Sequence, residues 1–146
     1  LPVGVPVVPT FTNATISHSN LGGLGPNPEA PQTLVYQNVG DGPNGRSINL
    51  VVTALTPYTA PRPDLNGISG RFGIINVDGG SSVVLRLSFV DSEFGYPVVL
   101  DVFYISFFDI DQGQNGDGQE ILWSTNVNSH VRSGDSDITV TNNGNE

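Results

Sequence analysis

Residues 107–120, FFDIDQGQNGDGQE, gather oxygen-bearing side chains around three glycines. Asp109, Asp111, Asn115, Asp117 and Glu120 supply carboxylate and amide oxygens there. Hard cations such as Ca2+ take about six to eight oxygen ligands, and glycines let a chain fold back so that several oxygens converge. Laid on the twelve-residue calcium-loop template from Asp109, these five fall at positions one, three, seven, nine and twelve. Position six is Gln114 where the template requires Gly, position five is Gly113, and no helical flanks are present. The pattern therefore excludes an EF-hand and predicts a Ca2+ site made from a strand end and the loop after it. The competing reading is a solvated acidic turn whose Asp residues cap backbone amides. Asp91, Glu93 and Asp101 are further candidate ligands. A second acidic stretch, Gly134 to Asp137, reads as a hairpin turn.

Other chemistry is thinner. His18 and His130 each sit among Ser and Asn, with no spacing that suits zinc and no Cys to complete a site. No Gly-X-Ser-X-Gly elbow, phosphate loop or dinucleotide fingerprint is present. Paired carboxylates of a glycoside hydrolase could be drawn from Asp109, Asp111 and Glu120, but the reading adopted is non-catalytic. Carbohydrate binding needs exposed aromatic rings beside polar groups. Tyr58 and Tyr96, in Pro-containing loops, and Trp123 are the candidates, although Trp123 falls in an expected strand where a core role competes. Asn13-Ala14-Thr15 is an N-glycosylation sequon.

The composition limits the partners. The 146 residues carry 14 acidic and 5 basic side chains, a formal charge of −9. That balance argues against nucleic acid and anionic membranes, which need clustered Lys and Arg. No apolar run is long enough to span a bilayer as a helix. There is no Cys and no Met, and residue 1 is Leu, which implies a processed product or a fragment. Few basic residues, all of them Arg, together with many Thr, Ser, Asn and Gly, suggest an extracellular surface.

The elements that must position these residues read as strands. Residues 83–90 alternate, with Val83, Leu85, Leu87 and Phe89 on one face and Val84, Arg86, Ser88 and Val90 on the other. Such period two marks a half-buried strand. Ile48, Leu50, Val52 and Ala54 share a face in residues 47–55. Residues 10–17, 33–39, 72–77, 120–125 and 137–141 read as shorter strands. The β-branched and aromatic run 98–110, VVLDVFYISFFDI, reads as a long strand covered on both faces. Its parity puts Asp109 and Asp111 on the core side with Phe103, Ile105 and Phe107. Unless the strand ends at Phe108 or a bulge re-aims them, a cation must sit between the two carboxylates.

No segment keeps a helical period. The expectation is an all-β fold, an antiparallel β-sandwich of jelly-roll or Greek-key type with about eight to nine strands. Residues 1–9, with Pro at 2, 6 and 9, form an extended arm, and residues 10–146 form a single sandwich domain. An arm of this kind suits strand addition to copies of the chain or to neighbouring domains.

Residues 34–120, more than half of the chain, resemble an all-β domain of large secreted or surface proteins of marine microalgae and bacteria. The resemblance rests on the strand SINLVVTAL (47–55), the segment GIINV (73–77), the strand end FFDID (107–111) and Gln119-Glu120 after it, in that order. It implies a jelly-roll-like sandwich in an adhesive, wall or appendage protein, with the Asp-X-Asp acids as calcium ligands. The combined expectation is a secreted, non-catalytic structural or adhesive module stabilised by Ca2+ and belonging to a larger or repeating assembly. A carbohydrate-binding module is the alternative, and a glycoside hydrolase fragment the second.

Overall fold

A computed structural model describes residues 5–116 and 118–141. The chain divides into two compact units, Leu1–Ile105 and Ser106–Glu146. The first holds seven strands: β1 (Thr15–Ser19), β2 (Thr33–Asp41), β3 (Ser47–Ala54), β4 (Gly67–Ser69), β5 (Phe72–Ile74), β6 (Leu85–Asp91) and β7 (Pro97–Val98). Five form an antiparallel sheet in the order β1-β2-β3-β6-β7, and β4 and β5 form a two-stranded sheet. The fold is all-β, an antiparallel sandwich with layers of unequal size.

The alternating patterns determine the inner face. The register aligns Leu34 with Val52 and Val52 with Leu87, then Tyr36 with Leu50 and Leu50 with Phe89. Leu34, Tyr36, Leu50, Val52 and Phe89 are all buried, together with Val39 and Ile48. Each such side chain contributes about 1.5–3 kcal/mol on leaving water. The partly exposed Thr33, Val35, Val51, Thr53 and Ser88 take the opposite parity.

The small sheet covers part of this face. The Tyr36 hydroxyl donates to the Ile74 carbonyl at 3.1 Å. Phe11 meets Tyr36 edge to face, with centroids 4.9 Å apart. A Cβ on Gly73 would lie 2.8 Å from the Phe11 ring, so only glycine permits that contact. A buried polar network fixes the long connection that carries the small sheet. Asn66 donates from Nδ2 to the Tyr58 hydroxyl at 2.8 Å and accepts at Oδ1 from the Asn76 amide at 2.7 Å. Tyr58 donates to the Asn76 carbonyl, and the Ser19 hydroxyl donates to the Asn66 carbonyl at 3.1 Å. Among described buried side-chain polar atoms none lacks a partner, as close-packed interiors require.

Three expectations need correction. Among the described residues the strands number seven, fewer than the eight to nine read from the sequence. The run 98–110 contributes only β7 and one isolated parallel bridge between Phe103 and Val7. β-propensity expresses fit to a covered, pleated surface; Val99 at 82% exposure has no such cover. Residues 120–125 and 137–141 form no strand. Residues 67–69 form β4 because residues 72–74 offer a partner one tight turn away. Of the arm, Val7 is buried, donates to the Val102 carbonyl at 3.1 Å and accepts from the Tyr104 amide at 3.0 Å. The backbone of Val7 is thus paired inside the chain, and residues 1–4 of the arm lie outside the described residues.

The second unit is built on turns. Its one described bridge, Gln112 with Gln119, closes an antiparallel hairpin over the 3-10 turn Gln114–Gly116. Near the end of the unit, Arg132 Nη1 donates to the Ile138 carbonyl at 2.7 Å. Ser133 donates to the Asp135 carboxylate, which holds that carboxyl below the usual carboxylate range.

Candidate functional site

The acidic segment forms a hairpin, not a strand entering a core. The Glu120 amide donates to the Asp111 carbonyl at 3.0 Å, and the Gly116 amide to the Gly113 carbonyl at 3.0 Å. This pairing sets Asp111 and Glu120 opposite each other across the hairpin. Asp109 has φ 61° and Asn115 at the tip φ 66°, left-handed conformations that Asp and Asn tolerate better than most residues. Residues 104–110 form no strand and Phe107 and Phe108 are both exposed, so Asp109 and Asp111 are exposed too and the parity conflict does not arise. Asp117 lies outside the described residues. Among the described residues no three His, Asp or Glu side chains are gathered closely enough to hold a metal ion.

The aromatic candidates separate clearly. Tyr58 is 7% exposed. The expectation of an exposed loop ring there is corrected: its hydroxyl anchors the Asn66 network and its ring packs into the core, where burial raises its pKa. Trp123 is exposed and lies outside any strand. Tyr96 is 69% exposed on the turn between β6 and β7.

That turn is the most elaborated exposed feature. It begins at Asp91, whose Oδ1 accepts from the Glu93 and Phe94 amides, both at 2.9 Å. The Gly95 amide donates to the Asp91 carbonyl at 2.9 Å, and the Asp91 amide to the Tyr96 carbonyl at 2.8 Å. The second carboxylate oxygen of Asp91 meets Arg46 Nε at 2.9 Å, and Arg46 Nη2 meets Glu93. The Arg46 guanidinium lies 4.5 Å from the Phe94 ring centroid, a cation–π geometry. Phe94 and Tyr96 stack with centroids 6.0 Å apart and planes at 25°. The Phe94 amide above all, then the Glu93 amide and the Arg46 charge, hold the Asp91 carboxyl below its usual range against the effect of desolvation. The result is a pair of exposed rings on a turn fixed from beneath, bordered by a carboxylate and a guanidinium.

Sequence reasoning found Tyr96 but missed Arg46 and Phe94, and it offered Asp91 and Glu93 only as further candidate ligands of a cation. Arg46 lies far from Asp91 in sequence, and only the pairing of Ile48 with Asp91 in the β3–β6 ladder brings them together. Of the remaining candidates, Asn13 is exposed in the turn before β1, accessible for glycosylation. His18 is half-buried against the Thr33 hydroxyl at 2.8 Å. His130 is exposed beside a shallow hollow that Arg132, Thr139 and Val140 also line. No family model matches this chain, and no curated protein or solved structure is significantly similar to it.

Proposed function

We propose that this chain is a non-catalytic, extracellular adhesive module that presents a rigid contact surface from a β-sandwich. The observation that carries the reading is the braced aromatic turn. Phe94 and Tyr96 are exposed, yet Asp91 and Arg46 hold the backbone and the first ring in place. Ordering side chains on binding costs about 0.5–1.5 kcal/mol each, and a preorganised pair avoids much of that cost. The scarcity of basic residues and the accessible Asn13 sequon fit an extracellular setting. The test is retention under shear of microspheres coated with the chain, on surfaces bearing mixed wall polysaccharide, collagen or albumin. Retention on polysaccharide or collagen above albumin is expected. Equal detachment from all three surfaces overturns the adhesive role, and release of reducing ends from the polysaccharide overturns the non-catalytic one.

A second reading adds Ca2+ to the same module. It is favoured by the cross-hairpin pairing of Asp111 with Glu120, with Asp109 two residues upstream. The donors are all oxygen, which suits a hard cation. A bound ion would offset the repulsion among these carboxylates and stiffen the hairpin.

A further inference from the structure

We infer that the turn joining β6 to β7 binds a neutral hexopyranose unit of a glycan, with Tyr96 and Phe94 as the platform and Glu93 and Arg46 as the polar rim. This inference rests on the adhesive reading and names its ligand class.

A pyranose ring has two chemically different surfaces. Its axial C–H bonds make an apolar face, and its hydroxyls form a polar edge. The turn offers the complement of both. Tyr96, 69% exposed, offers ring surface on which C–H groups can lie against π-electron density, while Phe94 stacks on it and carries the Arg46 guanidinium over its own ring. Beside them Glu93 provides carboxylate oxygen as hydroxyl acceptor, and the partly exposed Arg46 guanidinium provides N–H donors.

Charge narrows the class. Arg46 is matched against both Asp91 and Glu93, so this cluster carries a net negative charge within a chain of formal charge −9. A uronate, sialate or sulfated sugar would meet a carboxylate without an uncompensated cation to receive it. The same repulsion excludes nucleotides, whose bases would otherwise stack well on two rings. A protein partner requires roughly 1,000 Å2 or more of buried surface, whereas the fixed feature here is a single turn.

Binding is tested by affinity electrophoresis of the whole chain through gels containing dextran, galactomannan or dextran sulfate. Dextran and dextran sulfate share a backbone and differ in charge. Retardation by at least one neutral polysaccharide, and none by dextran sulfate, is the expected result. Tyr96→Ala should weaken that retention about tenfold or more, equivalent to about 1.4 kcal/mol. Tyr96→Phe, which keeps the ring face, should stay within about twofold. Both variants should melt with the wild type, because the Tyr96 side chain is exposed. Absence of retardation by either neutral polysaccharide, retardation by dextran sulfate, or full retention by Tyr96→Ala each overturns the assignment. If microspheres still hold to collagen while the neutral gels show nothing, the sugar site fails and the adhesive role stands.

Discussion

Asp91 stands opposite Ile48 in the β3–β6 ladder, on the parity that carries Leu85, Leu87 and Phe89 toward the core. A carboxylate at the end of an apolar face is tolerable only if its oxygens are fully bonded. Here two turn amides occupy one oxygen and Arg46 the other. One residue therefore closes the sheet, shapes the following turn and anchors the cation beside Phe94.

That role makes the turn sensitive to acid. The folded pKa of Asp91 lies below its ordinary value of 3.8. Its stabilising contribution is therefore complete above that value and is lost as pH falls through the folded pKa. Asp91→Asn should lower the urea midpoint at neutral pH, and the difference from wild type should shrink as the pH falls below 3.8. Asp64 is lowered as well, by Arg62, but both members of that pair are exposed and such pairs are worth little. A wild-type-to-mutant gap that is unchanged at acid pH would contradict this account.

Asn66 governs the second layer. It is 4% exposed and holds Tyr58 and Asn76 at once. Asn66→Ala leaves the partly buried Asn76 amide without its acceptor and the Tyr58 hydroxyl without its donor, at about 1–3 kcal/mol. With a urea dependence of about 1–3 kcal/mol per molar for a small domain, the midpoint should drop by about 1 M. Tyr58→Phe keeps the ring in the core and should cost less than Asn66→Ala. Equal midpoints for wild type and Asn66→Ala would show that the network contributes nothing to stability.

The sheet was legible because burial acts on alternate residues. Ile48, Leu50 and Val52 in β3, and Leu85, Leu87 and Phe89 in β6, lie on the faces that their spacing predicts. The run 98–110 misled because hydrophobicity and β-branching do not show whether a neighbouring strand exists to pair with it. Tyr58 misled in a similar way: Pro-rich flanks mark a loop, but this loop folds back and inserts its ring beneath Asn66. The turn itself could be read, and Tyr96 with it, but not its brace, because the pairing of Arg46 with Asp91 is a consequence of register rather than of local sequence.

Two glycines should respond in opposite ways to alanine. A Cβ on Gly25 would lie 1.9 Å from the Ser19 carbonyl oxygen and 2.6 Å from the Asn20 Cα, backbone atoms that cannot swing aside as a side chain could. Gly25→Ala should therefore displace the 20–31 loop, where Asn20 bonds to the Gly25 amide and the Ala30 carbonyl, and destabilise by about 1–3 kcal/mol or more. Gly79 has nothing within 4 Å of its added Cβ, so Gly79→Ala should stay within about 0.5 kcal/mol. Thermal melts of the two variants decide, and a Gly25→Ala melt that matches wild type would contradict the close approach.

The proposed calcium hairpin makes a local demand as well as a global one. Ligand that binds only the folded state stabilises it by RT ln(1 + [L]/Kd), about 2.7 kcal/mol at a hundredfold excess over Kd. Its direct effect should fall on the hairpin amides, above all Gly113 donating to Gly118 and Glu120 donating to Asp111. Hydrogen exchange at those two amides should slow in millimolar Ca2+ relative to EDTA, while exchange in the β2–β3 ladder changes little. Glu120→Gln removes a carboxylate across from Asp111 and should abolish most of the difference. A wild-type hairpin that exchanges at one rate in both buffers would leave Asp109, Asp111 and Glu120 as a solvated acidic turn.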